Sequence, residues 1–481
     1  MTLFSLTDYG EMWLTYSGQG RLEVTDEEFD CEFDVGQMYS GKIYLICRFT
    51  GSYPSSSSDR SMILLEGTTR HGEVKLRGFA TRKASRNNVG SLVYVTTVYE
   101  LTYESGSDEI PQLSLSMPDS EVTGIRFYLT NMLFSGDIII PGSRGYRFFE
   151  CRLGEHDVKI QQDLDYNNRI ELMKATGIAV TASLFIRGER TISDSLCDYV
   201  EIICNLLSIA LCNKVNWIAY ELVGEDESVV ERIHRNRVTM PYSSFMLIDS
   251  LRLGNLREFL QSSYQPYVEF NQLVPYEQKE GPQKFTFMRF VTHMYLSAKG
   301  LGFIEMRALT LCSLVEVLTN VICDKLEYGK LLPRGDFGKI KSDLHKATEN
   351  IIRSKLPDID NVTISQFQNT IQNRRSLEDR LIRFIDEYRI PVDYILGESK
   401  GTDNIDDVGR FKRNRNKLTH QMKFQNDDSQ GEYLFLLHFL DRIILAILQY
   451  DGKPYINVDD SPYLHGSNKP IFNLRSQSAD L

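Results

Sequence analysis

The chain has 481 residues, enough for two to four domains with cores of their own. Apolar residues make up 42% and charged residues 25%, which excludes wholesale disorder. Fifty-four basic against 65 acidic residues give a net charge of −11, so any nucleic-acid site must be a local patch within an acidic protein.

Eight cysteines, none in a Cys-x-x-Cys pair, read as buried thiols of a reducing cytoplasm and not as a disulfide scaffold. Asp8 and Glu11 with no basic segment before them argue against a secretory leader. Apolar runs such as Ile443–Leu448 are too short to span a bilayer, so no membrane partner is expected.

In chain order, Ile43–Phe49, Leu92–Tyr103, Glu121–Thr130 and Gly136–Ile140 are rich in β-branched and aromatic residues and read as strands. Turn chemistry separates them at Gly51–Pro54 and the serines that follow, at Arg86–Asn88 and at Pro118-Asp119. Short strands at such intervals suggest an antiparallel sandwich-like or barrel-like domain over residues 1–150. Residues 151–281 read as its mixed α/β continuation. Ile178–Arg187 is a strand, and Thr191-Ile192-Ser193-Asp194 caps a helix over Leu196–Leu211. Trp217–Val223 and Val230–Met240 are extended, and Leu253–Leu260 is helical. Gln278–Pro282 is the linker candidate, because Gly-Pro in a polar stretch breaks either element.

Residues 282–481 read as an all-helical domain. Phe285–Lys299, Met306–Leu326, Asp336–Leu356, Ile364–Tyr388 and Glu432–Tyr450 carry apolar residues at three- and four-residue spacing. Gly452 and Pro454 suit a helix end, and Asp459–Leu481 reads as a frayed tail. The expected fold class is α+β.

One segment stands apart. From Asp406-Asp407, which suit a helix N-terminus, the chain runs through Arg410, Lys412, Arg413, Arg415 and Lys417 to His420. Five basic residues in eight positions are a concentrated exception in an acidic protein. RNA cleavage needs this combination. A 2′-hydroxyl must lose a proton and the departing 5′-oxygen must gain one, which an imidazole of ordinary pKa near ~6.5 can do. A guanidinium can hold the phosphate and stabilise the added charge of the pentacoordinate transition state. The chemistry calls for no metal or other cofactor.

Arg415-Asn416-Lys417-Leu418-Thr419-His420 matches the Arg-polar-x-x-x-His signature of the HEPN ribonucleases. His420 is the only one of the eight histidines with an arginine five to seven residues before it. Together with the helical C-terminal setting after a β-rich region, the segment resembles the ApeA-like anti-phage HEPN proteins. Glu316, in Leu314–Leu318, resembles a glutamate found on an early helix of that family. The helical resemblance covers about residues 285–455, and over the N-terminal 280 residues it is architectural.

The resemblance implies a C-terminal HEPN helical bundle and a metal-independent endoribonuclease, cleaving RNA (tRNA among the candidates) at a homodimer interface in abortive infection. His420 is then the general acid/base, Arg415 the phosphate stabiliser and Asn416 an orienting group. Arg410, Lys412, Arg413 and Lys417 bind substrate, and Glu316 supports the arginine. A phage-derived trigger would act through the N-terminal region. The alternative is a non-catalytic nucleotide-binding or dimerisation module serving that sensor. Two arginines satisfy the spacing. Arg413, Asn416 and His420 share one helix face, whereas Arg415 and His420 lie about 140° apart on a straight helix. A two-fold dimer or a helix beginning inside the motif would reconcile them.

Plainer roles stand beside these. Glu316 lies on a stripe with Thr319, Asn320 and Cys323 that would also suit an exposed face. Cys197, Cys204 and Cys212 read as core filling. His234, in Arg232-Ile233-His234-Arg235, reads as part of an exposed strand that could touch RNA or a partner. His438 reads as a core or interface histidine.

Overall fold

A computed structural model describes residues 5–50, 52–54, 60–88, 94–102, 112–116, 121–139, 146–163, 165–225, 228–235, 246–273, 286–300, 302–390 and 407–451. The expected turn at Pro118-Asp119, the linker at Gln278–Pro282, the helix end at Gly452 and the tail lie outside these residues. The chain clusters into two compact units, Met1–Gly300 with Leu448–Asn457, and Leu301–Ile447 with Val458–Leu481.

In the first unit, β1 (Met12–Val24), β2 (Glu27–Met38), β3 (Ile43–Phe49), β4 (Arg60–Thr69), β5 (Gly72–Asn88) and β6 (Tyr94–Leu101) pair antiparallel in the order β4-β1-β2-β3-β6-β5. A further β4–β5 pairing closes them into a six-stranded barrel without a free edge. Alternate residues fill it: Phe29, Cys31, Phe33 and Val35 from β2, and Ile43, Leu45, Cys47 and Phe49 from β3. The ring of Phe33 lies against Gly67, where a Cβ would come within 2.3 Å of its Cε1. The expected turn at Arg86–Asn88 is instead the end of β5, which pairs with β6 as far as Asn88.

One edge of β5 is divided. Ala80–Asn88 pairs with β6, while Glu73–Arg77 pairs with β7 (Gln112–Ser116). Through β7 the barrel runs on into an open antiparallel sheet. Its strands are β8 (Val122–Thr130), β9 (Ile138–Ile139), β10 (Tyr146–Leu153), β11 (His156–Gln162), β12 (Val180–Arg187), β13 (Trp217–Gly224) and β14 (Val229–Arg235), in the order β7-β14-β13-β8-β12-β11-β10-β9. Strands from either side of residue 150 therefore share one sheet. The strand expected at Gly136–Ile140 reduces to Ile138–Ile139 among the described residues.

Helices α1 (Tyr166–Thr176), α2 (Asp194–Leu211), α3 (Asn255–Gln272) and α4 (Phe287–Lys299) complete the unit. The Ser193 hydroxyl accepts from Leu196 N at 3.2 Å, the expected cap. The helical run expected to open a domain at residue 282 divides after α4. That helix buries Met288, Val291 and Tyr295 and packs on α2 and α3. Cys204 and Cys212 are buried, and Cys197 is half-buried.

His234 is not on an exposed face. It is fully buried, and Tyr16 Oη meets its Nε2 at 2.9 Å while Gln37 Oε1 meets its Nδ1 at 2.8 Å. Arg232 donates to the Tyr16 oxygen at 3.1 Å, which turns the phenol proton toward Nε2 and leaves Nδ1 to donate to Gln37. Burial and Arg232 hold this imidazole well below its ordinary pKa. Beside it, fully buried Glu221 accepts from Arg232 Nε at 2.6 Å and Tyr128 Oη at 2.7 Å.

Among the described residues the second unit is all helical: α5 (Ile304–Lys325), α6 (Arg334–Lys355), α7 (Asn361–Asn369), α8 (Leu377–Tyr388), α9 (Asp407–Gln421) and α10 (Ser429–Ile447). Helix α5 is the hub, packed on α8, α9 and α10, and buries Leu311, Leu314, Val315, Leu318 and Ile322. Its mean hydropathy reaches 1.5 over an 18-residue window, enough by length and composition to cross a membrane, with half of that window buried inside the protein. The single helix expected over Ile364–Tyr388 is two. Asn373 exchanges hydrogen bonds with Leu332 N and O at 2.8 and 2.7 Å, and Ser376 caps a new helix by accepting from Asp379 N. Helix α6 packs on α7 and, alone among these six, buries none of its residues. The fold class is α+β: an antiparallel β-rich N-terminal region followed by a helical C-terminal one.

Candidate functional site

Helix α9 is continuous from Asp407 to Gln421, so the whole Arg415–His420 segment lies within one helix and no helix begins inside it. Val408, Phe411, Asn414 and Leu418 form its inner face, and Phe411 stacks on Phe439 of α10 with ring centroids 5.1 Å apart. Phe411 and Leu418 anchor the helix, and the flanking polar side chains are placed by that anchoring.

The first cluster centres on Glu432, whose side chain is 2% exposed at the start of α10. Arg410 donates to both carboxylate oxygens, Nε to Oε2 at 3.0 Å and Nη2 to Oε1 at 3.1 Å. Asn414 donates to Oε2, and Asn426 donates to Oε1 at 2.5 Å. The Asn414 oxygen accepts from Gln425 N at 3.1 Å, tying the turn after α9 back to the helix. The Arg410 guanidinium also lies 4.3 Å from the Phe435 ring centroid. Two of its donors thus serve a buried carboxylate, and the structure gives Arg410 an architectural place where sequence suggested a substrate contact.

The second cluster is the one the motif pointed to. Arg415 forks onto Glu316 of α5, Nε to Oε1 and Nη2 to Oε2, the latter at 3.2 Å. Its Nη1 donates to Asn416 Oδ1 at 3.2 Å. The hydrogen bond it donates to Glu316 raises the arginine pKa further, so the guanidinium is permanently charged. Both side chains of the pair remain 27% exposed. A cleft of about 120 Å³ between α8 and α9 is lined by Glu378, Leu381, Phe411, Lys412, Arg415 and Asn416. Lys412 pairs with Glu378 at its edge, and Lys417 reaches Gln421 at 3.5 Å.

Arg413, Asn416 and His420 share the outward face of α9. Arg413 is half-buried and His420 exposed, and neither makes a hydrogen bond or ion pair among the described residues. The structure therefore brings together Arg415, Asn416 and Glu316, and leaves His420 about 140° away around the helix. The stripe drawn from Glu316 resolves residue by residue. Asn320 Oδ1 accepts from Arg374 at 3.2 Å and from Arg380, while Thr319 and Cys323 are buried. His438 Nδ1 lies 3.8 Å from Asp441 on α10.

Sequence reasoning missed Asn414, Glu432, Asn426 and Glu378. Asn414 had a usable signal, a polar residue on the stripe Val408–Phe411–Leu418. Glu432 had a weaker one, a lone carboxylate opening an apolar helix. Among the described residues no group of three or more His, Cys, Asp and Glu side chains is placed to hold a metal ion. The chain matches no protein-family model, no curated protein and no solved structure.

Proposed function

We propose that the chain is a metal-independent endoribonuclease of the HEPN type, acting as a homodimer in the cytoplasm against phage infection. The observation that carries this reading is the relay from Glu316 on α5 to Arg415 and Asn416 on α9, a guanidinium held charged and aimed at the rim of a cleft. The same helix offers His420 to solvent. Because Arg415 and His420 diverge around one helix, a complete site draws these groups from two copies related by a two-fold axis.

In that site the imidazole takes the 2′-hydroxyl proton or supplies the proton that the 5′-oxygen needs. The arginine stabilises the charge that builds on phosphorus in between. Arg413 and Lys417, on the outward face, would hold flanking phosphates. Products end in a 2′,3′-cyclic phosphate and a 5′-hydroxyl. A phage-derived trigger acting through the N-terminal unit would release the activity. The test is incubation of purified protein with total RNA, with and without EDTA, beside His420→Ala. Defined fragments are expected in both conditions from the wild type and none from the variant.

A second reading has an observation of its own. Glu316 takes the two guanidinium donors best suited to fork onto a phosphate, which suits a non-cleaving module whose α9 only binds a phosphate-bearing ligand. RNA left intact under all conditions, including phage extract, would select it.

A further inference from the structure

Sixteen large apolar side chains are exposed among the described residues, and eight of them fall between Leu331 and Phe367. Three lie on α6: Ile340, Leu344 and Ile351 are 41%, 38% and 64% exposed. With half-buried Phe337 and exposed Ala347 they recur at spacings of three and four. Phe337, Leu344 and Ile351 fall on one heptad position, and Ile340 and Ala347 on the other. Helix α7 covers the adjoining face of α6, beyond the Lys341–Thr348–Lys355 flank of the seam, where His345 O accepts from Gln368 and Ile352 is half-buried. A helix of 22 residues, about 33 Å long, thus displays a coiled-coil seam on which nothing packs among the described residues.

The charges beside the seam say what fits. The positions next to one side of it hold Asp336, Asp343 and Asn350, and those next to the other hold Lys341, Thr348 and Lys355. A second α6 laid parallel and in register sets each Asp336 against the other copy's Lys341, and each Asn350 against the other copy's Lys355. An antiparallel copy would instead face acid with acid and lysine with lysine. An anionic bilayer would meet both aspartates at the edge of its buried face. Among the described residues Asp336 is engaged only by Lys339 at 2.8 Å, both exposed, so it is readily exchanged. Lys341 and Asp343 make no ion pair among the described residues.

We infer that α6 is a self-association surface, pairing parallel with α6 of a second copy of this chain. The inference deepens the functional reading, which needs two copies, by naming a surface that joins them. It is tested on full-length protein by sedimentation equilibrium without RNA, so that failure of the seam and failure of the nuclease reading are separate outcomes.

Leu344→Asp with Ile351→Asp alters only side chains that are already exposed and is expected to weaken the dimer about a hundredfold. Asp336→Lys and Lys341→Asp are each expected to weaken it several-fold, and the two together to restore it. Ser354→Cys, at the far end of the seam, is expected to cross-link to itself under mild oxidation. A wild-type monomer at 100 µM, a dimer indifferent to Leu344→Asp with Ile351→Asp, or absence of the Ser354→Cys cross-link would overturn the proposal. So would wild-type protein that sediments with anionic phosphatidylglycerol vesicles as a monomer.

Discussion

Two segments of this chain have nearly the same texture and opposite fates. Arg232-Ile233-His234-Arg235 and Arg413-Asn414-Arg415-Asn416 through His420 both set one histidine among arginines. On β14, strand alternation turns Arg232 and His234 to one face, and the barrel strands β1 and β2 supply Tyr16 and Gln37 to cover it. On α9, helical periodicity sends Asn414 inward and leaves His420 in solvent. What packs over an imidazole, more than its sequence neighbours, decides whether it is part of the fold or free to do chemistry.

The largest expected effect separates the two histidines by activity. His420→Ala and Arg415→Ala should each lower RNA cleavage by about 10³-fold or more, with the dimer intact, whereas His234→Gln should leave the rate of the folded protein unchanged. A cleavage assay on purified variants reads this. Wild-type cleavage by His420→Ala would remove the histidine from the mechanism.

Next in size is the carboxylate hub. Glu432→Ala leaves Arg410 uncompensated against Phe435 and takes the acceptor from Asn414 and Asn426, and should cost about 3–5 kcal/mol of stability. Thermal or urea unfolding measures it. Glu316→Ala, at a partly exposed pair, should cost about 1 kcal/mol at most while reducing cleavage through loss of aim on Arg415. Activity falling in step with stability for both variants would erase the distinction between a structural and a functional glutamate.

Titration sharpens the comparison again. The folded state holds His234 neutral, with its pKa well below the ordinary value of 6.5, so only the unfolded chain takes up this proton as the pH falls. Stability should therefore be full above about pH 6.5 and decline below it, by at most about 1.4 kcal/mol per pH unit from this group. Melting temperatures from pH 7.5 to 5 test the sign. A first unit that grew more stable on acidification would place the proton on the folded protein.

How much of this was legible depends on whether a residue's partner lies near in sequence. Ile43–Phe49 is strand β3 to the residue, because both of its faces are covered and an apolar run suffices. Ser193 declares its cap because cap and helix are neighbours. Strands β1 and β2 were missed because their outward residues, Arg21 and Glu23, Asp30 and Glu32, are charged, and only barrel closure reveals that the alternate ones fill a core. The contact of Glu316 with Arg415 spans 99 positions, and only the family resemblance points to it. For Arg410 the only prompt is the lone carboxylate Glu432 opening an apolar helix 22 positions on, too weak to show that the guanidinium is taken.

Arg410 and Lys412 make the finest test, because they differ by two positions and, on this structure, in kind. Arg410 holds a carboxylate that is 2% exposed, while Lys412 pairs with Glu378 where the two side chains are 49% and 38% exposed. Arg410→Ala should show itself mainly as lost stability. Lys412→Ala should change stability by under about 1 kcal/mol. If the cleft rim meets RNA backbone, Lys412→Ala should also weaken binding across sequences and reduce the salt dependence of affinity by about one phosphate contact. Binding measured against salt for both variants separates the roles. A salt slope reduced by Arg410→Ala and untouched by Lys412→Ala would mean that the guanidinium leaves Glu432 for the phosphate when substrate arrives, and that the carboxylate hub is broken in the working state.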